Sequence, residues 1–342
     1  MMTYQTPESR YDSVQKVLDS LDGRECAILT THINADGDGI GSEVALATWL
    51  RARGTKSYIV NPTPIPQSLR FLVPDESWVL DPSEQETVEC CYGADVAIVL
   101  DASEAERIGR IKPLIENLTT VVIDHHPVGD KPIGGFSFRD STASATGELV
   151  FDIIMKAGGP WLDVADLAIY VAILTDTGSF RFSNSTPASH NIVAELIRRG
   201  VDPEEMYRRF YGTFSYRHFK LLRSALGELK VDDDSRVAWM TVPSKDYQDL
   251  AATAEDLEGF VDYPRSIEGV EVGILFWNPT KDSVKISFRS NGAVDVNELA
   301  RSFGGGGHVR ASGAMIHGSL EQVRNEVVSE TIAAVKILRN KR

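Results

Sequence analysis

The spacing of hydrophobic positions changes along this chain, and the changes mark its elements. "ECAILTTH" (25–32) contains a short apolar run, the pattern of a strand buried on both faces. "KSYIVN" (56–61), "DVAIVLD" (95–101) and "TVVIDHH" (120–126) repeat it. Elsewhere the spacing lengthens. In "IGSEVALATWLRARG" (40–54), Ile40, Val44, Ala47 and Leu50 share one helical face and Gly54 is a natural stop. "GELVFDIIMKAGG" (147–159) and "WLDVADLAIYVAILTDTG" (161–178) read as further helices with glycine stops. This alternation predicts an α/β fold: a parallel sheet with helices on both faces.

From Pro187 to Leu229 the pattern is helical and more charged, as in "AELIRRG" and "EEMYRRF". Beyond it, "RVAWMTV", "VEVGILFWN" and "SVKISFRS" read as strands. "VNELARSF" is helix-like, "ASGAMIHG" follows a glycine run, and "LEQVRNEVVSETIAAVKIL" is an amphipathic helix. The expected organisation is a first domain over 1–186, a helical connector over 187–229 and a smaller α/β domain over 230–342, with a cleft between the domains.

Composition narrows this picture. The length of 342 residues suits about two domains. A hydrophobic fraction of 42% is ordinary for a globular protein. No apolar run approaches the roughly 20 residues of a membrane helix, and "MMTYQTPESRYDSV" has no signal-peptide core. Cys26, Cys90 and Cys91 suggest neither a disulfide framework nor a zinc site, so a cytoplasmic location is expected. The formal charge of −14 argues against binding long duplex nucleic acid. A small anionic ligand remains compatible with it, because local metal ions outweigh a global field.

The chemistry concentrates where strands end. "THINADGDGIGSE" (31–43) joins a strand to a helix and carries His32, Asp36 and Asp38. Such turns lie at the carboxyl edge of the sheet, where open α/β folds bind ligands. Asp101 ends the next apolar run, and Asp124, His125 and His126 end another. Asp176 closes a helix, where the dipole disfavours an acid. Any one of these alone would be an ordinary turn residue. Together they would crowd acids and imidazoles onto one sheet edge, which requires a compensating cation. Asp36, Asp38, Asp101, Asp176, His32 and His125 are too many ligands for one catalytic ion. They suit two, with a carboxylate bridging. The mixed nitrogen and oxygen set favours Mn²⁺, with Mg²⁺ or Co²⁺ as substitutes. Two ions about 4 Å apart point to metal-assisted phosphoester hydrolysis.

"HINADGD", the aspartate after "VAIVL", "DHH" and "LTDTG" resemble the four ordered motifs of the DHH phosphoesterase superfamily. "SFRS" and "GGGGH" resemble its DHH-associated C-terminal domain, so the likeness spans nearly the whole chain. Ala35 stands where many relatives carry proline, a change that touches only loop stiffness. The resemblance implies one ion on His32, Asp36 and Asp101, and another on Asp38, Asp101, His125 and Asp176. It implies that His126 faces the phosphate as a general acid and that Asp124 orients the histidines. Chains of this length most resemble the superfamily's oligoribonuclease and nucleotide-phosphatase branch.

In the second half, "GGGGH" (Gly304–His308) follows a helix directly, and order resumes at once after it. Gly305 and Gly306 would let a ligand approach the backbone, and His308 could stack on a base or bond a phosphate. Arg289 offers a planar phosphate clamp, with Arg310 as a weaker candidate. His190, His218, His317, Trp161, Trp239 and Trp277 read as ordinary packing or surface residues. The expected substrates are very short oligoribonucleotides, dinucleotides and small nucleotide phosphates such as 3′-phosphoadenosine-5′-phosphate. The expected activity is an exonuclease releasing nucleoside monophosphates, with neither membrane nor long duplex as partner; a homodimer is left open. The alternatives are a cyclic or linear dinucleotide phosphodiesterase, a pyrophosphatase or single-strand exonuclease of the same superfamily, and a nucleotide sensor without turnover.

Overall fold

The computed structural model describes residues 4–339 apart from Val128, Asp130, Ser235 and Ala293, and only the backbone at His308 and Arg339. The chain divides into two compact units, 1–212 and 213–342.

The first unit holds five parallel strands: β1 (Cys26–Thr30), β2 (Lys56–Ile59), β3 (Val96–Leu100), β4 (Thr119–Asp124) and β5 (Phe136–Arg139). Their order is β2-β1-β3-β4-β5. Among the described residues, eight α-helices accompany them: α1 (Tyr11–Leu21), α2 (Gly37–Ala52), α3 (Gln85–Tyr92), α4 (Lys112–Ile115), α5 (Thr146–Lys156), α6 (Asp163–Asp176), α7 (Pro187–Arg198) and α8 (Pro203–Phe210). Side chains alternate along each strand. Leu29, Ile98, Leu100, Val121 and Ile123 therefore join one core with α1, α2 and α5–α8, while Ile28, Ala97, Val99 and Val122 join another with α3 and α4. Burial on both faces explains the unbroken apolar runs, and the expected helices on both faces are present. The order also places β2 and β3 on opposite sides of β1. The carboxyl ends of β1 and β3 thus flank the point where the winding reverses, the position at which such folds hold ligands.

The Asp-Gly run is not the loop that its composition suggests. Gly37, Gly39 and Gly41 lie inside α2, which begins before Ile40. A Cβ at Gly37 would sit 2.5 Å from Thr175 Oγ1, and one at Gly39 2.6 Å from Thr31 Oγ1. At Gly41 it would sit 2.5 Å from the Ala168 carbonyl oxygen. These glycines let α2 lie against α6 and the end of β1. Gly41→Ala should accordingly cost about 1–3 kcal/mol through overpacking, read as a lowered midpoint in thermal unfolding. An unchanged midpoint would mean that the close approach is relieved without strain.

The second unit contains β6 (Lys230–Val231), β7 (Val237–Thr241), β8 (Val272–Thr280), β9 (Ser283–Ser290), β10 (Gly306–His308) and β11 (Ala311–His317). They form one sheet in the order β10-β11-β9-β8-β7-β6, antiparallel except for β7 beside β8. Its helices are α9 (Tyr216–Gly227), α10 (Ser244–Asp249), α11 (Asp262–Arg265), α12 (Val296–Ser302) and α13 (Leu320–Arg339). Ile274, Ile286 and Phe288 pack with α12 and α13, whereas Met240 and Leu275 pack with α9 and the segment before β8. The stretch 187–229 is shared between the units: α7 and α8 belong to the first and α9 to the second. Among the described residues, no helix is long and apolar enough to cross a membrane.

Candidate metal centre

The residues singled out in the first half converge beyond the strand ends. Asp36 caps α2, and its Oδ1 accepts from the amides of Asp38 (3.0 Å) and Gly39 (3.2 Å). Asp38 sits buried in the first turn of that helix. Its carboxylate also accepts from the amides of Thr146 (2.7 Å) and Gly147 (2.9 Å), where α5 begins. Two helix N-termini thus meet at one buried carboxyl group. Asp101 follows β3 in a left-handed conformation (φ 56°), and its Oδ1 accepts from the Thr146 hydroxyl at 3.1 Å. His125 and His126 follow Asp124, the last residue of β4. Asp176 ends α6, and Asn184 Nδ2 donates to its Oδ2 at 3.0 Å.

These side chains form overlapping groups whose ligand atoms lie within 4.8 Å of one another: His32, Asp36 and Asp101; Asp38, His125 and Asp176; and Asp101, His125 and His126. His32 Nε2 is 3.3 Å from Asp101 Oδ2 and 3.9 Å from Asp36 Oδ1. His125 Nε2 is 3.6 Å from Asp38 Oδ2, 3.6 Å from Asp101 Oδ1 and 3.7 Å from Asp176 Oδ2. Asp101 therefore touches both histidine-centred groups, one through each oxygen.

The donor set fits a cation. The Nε2 atoms of His32 and His125 are buried without a hydrogen-bond partner. Their Nδ1 atoms lie on backbone carbonyls, of Ile33 at 2.9 Å and Ala143 at 3.4 Å. A carbonyl can only accept, so Nδ1 carries a proton, and an ion that displaces any proton from Nε2 meets a lone pair facing inward, the tautomer that ligates a metal. His126 differs. Its Nδ1 lies 2.8 Å from Asp124 Oδ1 and 3.3 Å from Asp101 Oδ1.

The electrostatics show the cost of holding these groups together without an ion. Burial pushes Asp38 well above the usual carboxylate range, and Asp101, Asp176 and Asp36 add to it. Burial likewise raises Asp176, to about 6. Burial would also raise Asp101, but His126 and His32 hold it well below the usual range. For His32, burial opposes the imidazolium and the adjacent Asp101 and Asp36 outweigh it, lifting it to about 10. His126 reaches about 10 by the same balance, with Asp101 and Asp124 beside it. Protons stand in for positive charge that a metal ion would supply.

The second-half candidates lie in the second unit. Arg289 is on β9, half-buried, with Nη1 donating to the Phe288 carbonyl at 3.1 Å. The glycine run divides by function. Gly304 (φ 73°) stops α12, and the Gly305 amide bonds back to the Ala300 carbonyl at 2.8 Å, a helix-terminating Schellman pattern. A Cβ at Gly305 would meet the Gly313 carbonyl oxygen at 2.1 Å, so that position is packing as well. Gly306 to His308 form the edge strand β10, whose backbone is paired with β11, and the His308 side chain lies outside the described residues. Arg310 is exposed. Sequence reasoning missed Thr146 and Asn184, which steady the acids, and the Ala143 carbonyl, which orients His125. No residue-type signal marks a backbone group or a lone threonine or asparagine in a loop.

Residues 27–173 match the DHH family, N-terminal domain, and residues 234–336 match the DHHA1 domain. Along 94% of both chains, this protein is 33% identical to the bifunctional oligoribonuclease and PAP phosphatase NrnA of Thermus thermophilus. The chain belongs to the DHH family of phosphoesterases. The NrnA of Bacillus subtilis is 30% identical over 85% of this chain and 89% of its own. Among solved structures, an exopolyphosphatase-related protein from Bacteroides fragilis matches with a TM-score of 0.87 and 26% identity, covering 96% of this chain and 98% of that one. The DHH match spans His32, Asp36, Asp38, Asp101, His125 and His126, which meet in the first unit, and ends just before Asp176.

Proposed function

We propose that this DHH protein hydrolyses phosphoester bonds in very short oligoribonucleotides, releasing nucleoside monophosphates, and removes the 3′-phosphate of 3′-phosphoadenosine-5′-phosphate. The observation that carries this reading is Asp101, which presents one oxygen to the His32 group and the other to the His125 group. Curated relatives named oligoribonuclease and PAP phosphatase align along nearly the whole chain and support the substrate class.

His32, Asp36 and Asp101 would hold one ion, and Asp38, Asp101, His125 and Asp176 the other. Two imidazole nitrogens among the carboxylates favour Mn²⁺ over Mg²⁺. Bound there, the ions supply Lewis-acid polarisation of the phosphoryl oxygens and neutralise charge developing on them. The chain's own residues do the rest. Asp38 and Asp101 are fixed by amide and hydroxyl donors, so the acceptors are oriented before substrate arrives. Asp124 accepts from the His126 backbone amide at 3.0 Å and pairs with its Nδ1, holding an imidazolium suited to protonate the leaving oxygen. The free thiols of Cys26, Cys90 and Cys91 suit the cytoplasm, where we place the reaction.

We assign grip on the nucleotide to the second unit, through Arg289, Gly306, His308 and Arg310, with Gly305 supporting the strand edge. Arg289→Ala should raise KM for a dinucleotide about 10- to 100-fold, the range of a lost charge-assisted phosphate bond. Bis-p-nitrophenyl phosphate, a compact diester, should suffer less, and metal content should not change. Equal losses on both diesters would remove this division of labour. The test of the function itself is a substrate panel: a dinucleotide, a long oligomer, the phosphoadenosine phosphate and a cyclic dinucleotide. Preference for the dinucleotide and the phosphoadenosine phosphate supports the proposal. Turnover of the cyclic dinucleotide alone would overturn it.

A further inference from the structure

Resting on the two-ion reading above, we infer that Arg10 is a positioning residue for one of the two ion sites, although it touches none of the ligands. Arg10 is only 3% exposed, and its guanidinium spans the two ends of one turn. Nε donates to Asp140 Oδ2 at 2.6 Å, just beyond β5. Nη1 donates to Glu148 Oε1 at 2.8 Å and to Asp152 Oδ2 at 2.8 Å, in the first and second turns of α5. The turn is braced again from within. Asp140 Oδ1 accepts from the Thr142 amide and hydroxyl, and Glu148 Oε2 accepts from the Ser144 amide (3.0 Å) and hydroxyl (2.7 Å).

The held segment, 140–148, reaches each ligand on the His125 side of the centre, directly or through Asn184, and the Ser42 hydroxyl of α2 adds a bond to Asp38 Oδ1 at 3.2 Å. The Ala143 carbonyl fixes His125 Nδ1. The Ser144 carbonyl accepts from Asn184 Nδ2 at 2.9 Å, and the same amide group holds Asp176. The Thr146 and Gly147 amides hold Asp38, and the Thr146 hydroxyl holds Asp101. Among the described residues, His32 and Asp36 take no hydrogen bond from the held segment: His32 is oriented by the Ile33 carbonyl, and Asp36 is fixed by α2. Arg10 therefore acts mainly on one ion site, that of Asp38, His125 and Asp176; it reaches the other only through the shared Asp101.

Asp152 provides an internal control. It shares the Arg10 cation and accepts from Tyr4 (2.9 Å) and Thr6 (2.7 Å), but among the described residues its carboxylate makes no hydrogen bond to 140–148. A purely structural role for Arg10 would make Asp152 and Glu148 equivalent. A positioning role separates them.

The experiment is calorimetric titration of full-length, metal-free protein with Mn²⁺, alongside thermal unfolding. Wild type should take up two ions. In Arg10→Lys and Glu148→Gln, one ion should bind nearly as in wild type and the other about 10- to 100-fold more weakly, the usual effect of disturbing groups behind metal ligands. High Mn²⁺ should restore turnover of a dinucleotide by both variants. Asp152→Asn should lose thermal stability while keeping both affinities. If Arg10→Lys does not fold, Glu148→Gln decides. Variants with two wild-type affinities, or with both sites weakened to the extent seen in Asp152→Asn, would overturn the inference and leave the proposed function standing. A wild-type protein that takes up no second ion would defeat the two-ion reading, and this inference with it.

Discussion

Asp101→Asn should lower dinucleotide hydrolysis by more than about a hundredfold, beyond the effect of changes behind a metal ligand. Its carboxylate is the group shared by the two histidine-centred clusters, so one substitution weakens both. Asparagine is the right replacement. Residue 101 has φ 56°, a left-handed conformation that asparagine tolerates and alanine adopts at a cost of roughly 1–2 kcal/mol. The fold should survive, because asparagine keeps the shape and an acceptor for the Thr146 hydroxyl, and His32 and His126 can shed the protons that Asp101 stabilises. Activity, Mn²⁺ stoichiometry and thermal unfolding should be measured on the same preparation. Wild-type turnover by this variant would place the chemistry elsewhere. Loss of the fold would mean that Asp101 is structural.

Removal of divalent metal should abolish activity, and Mn²⁺ should restore it more fully than Mg²⁺. The metal-free centre holds protons that an ion must displace, with His32 lifted to about 10 and Asp176 to about 6. Ion and proton compete for the same lone pairs, so acid favours the proton. Affinity for Mn²⁺ should rise with pH from about 6 to about 9, by up to about tenfold per unit for each proton displaced. Titration of metal-free protein at several pH values, with proton release followed in parallel, checks the sign. Affinity that is flat or falls over this range would mean that the ions do not bind at these residues. Full activity after exhaustive chelation would remove metal from the mechanism.

Much of this was legible in the sequence, for physical reasons that vary by element. The runs around Ile28, Ile98 and Val122 stand out because both faces of β1, β3 and β4 are buried. The edge strand β5 was not read, since "FSFR" is short and has only Phe138 fully buried. Helix α1 went unread although Val14, Val17 and Leu21 keep helical spacing, because the flanking sequence is polar. The glycines of "DGDGIG" looked like turn formers. Their actual use, close packing of α2 on Thr175, Thr31 and Ala168, depends on partners far along the chain. The eight acids and histidines of the centre were legible because strand and helix ends announce themselves and charge there needs a reason. Their supports were not. Arg10 is separated from Asp140 by 130 positions, and the amides of Thr146 and Gly147 have no residue signature.

The most direct test is hydrolysis of pApA by metal-free protein reconstituted stepwise with Mn²⁺, following binding and product together. Release of AMP should rise with added Mn²⁺ and be complete near two ions per chain. Tight binding of pApA without AMP release at full Mn²⁺ occupancy would contradict it and would make this protein a nucleotide sensor.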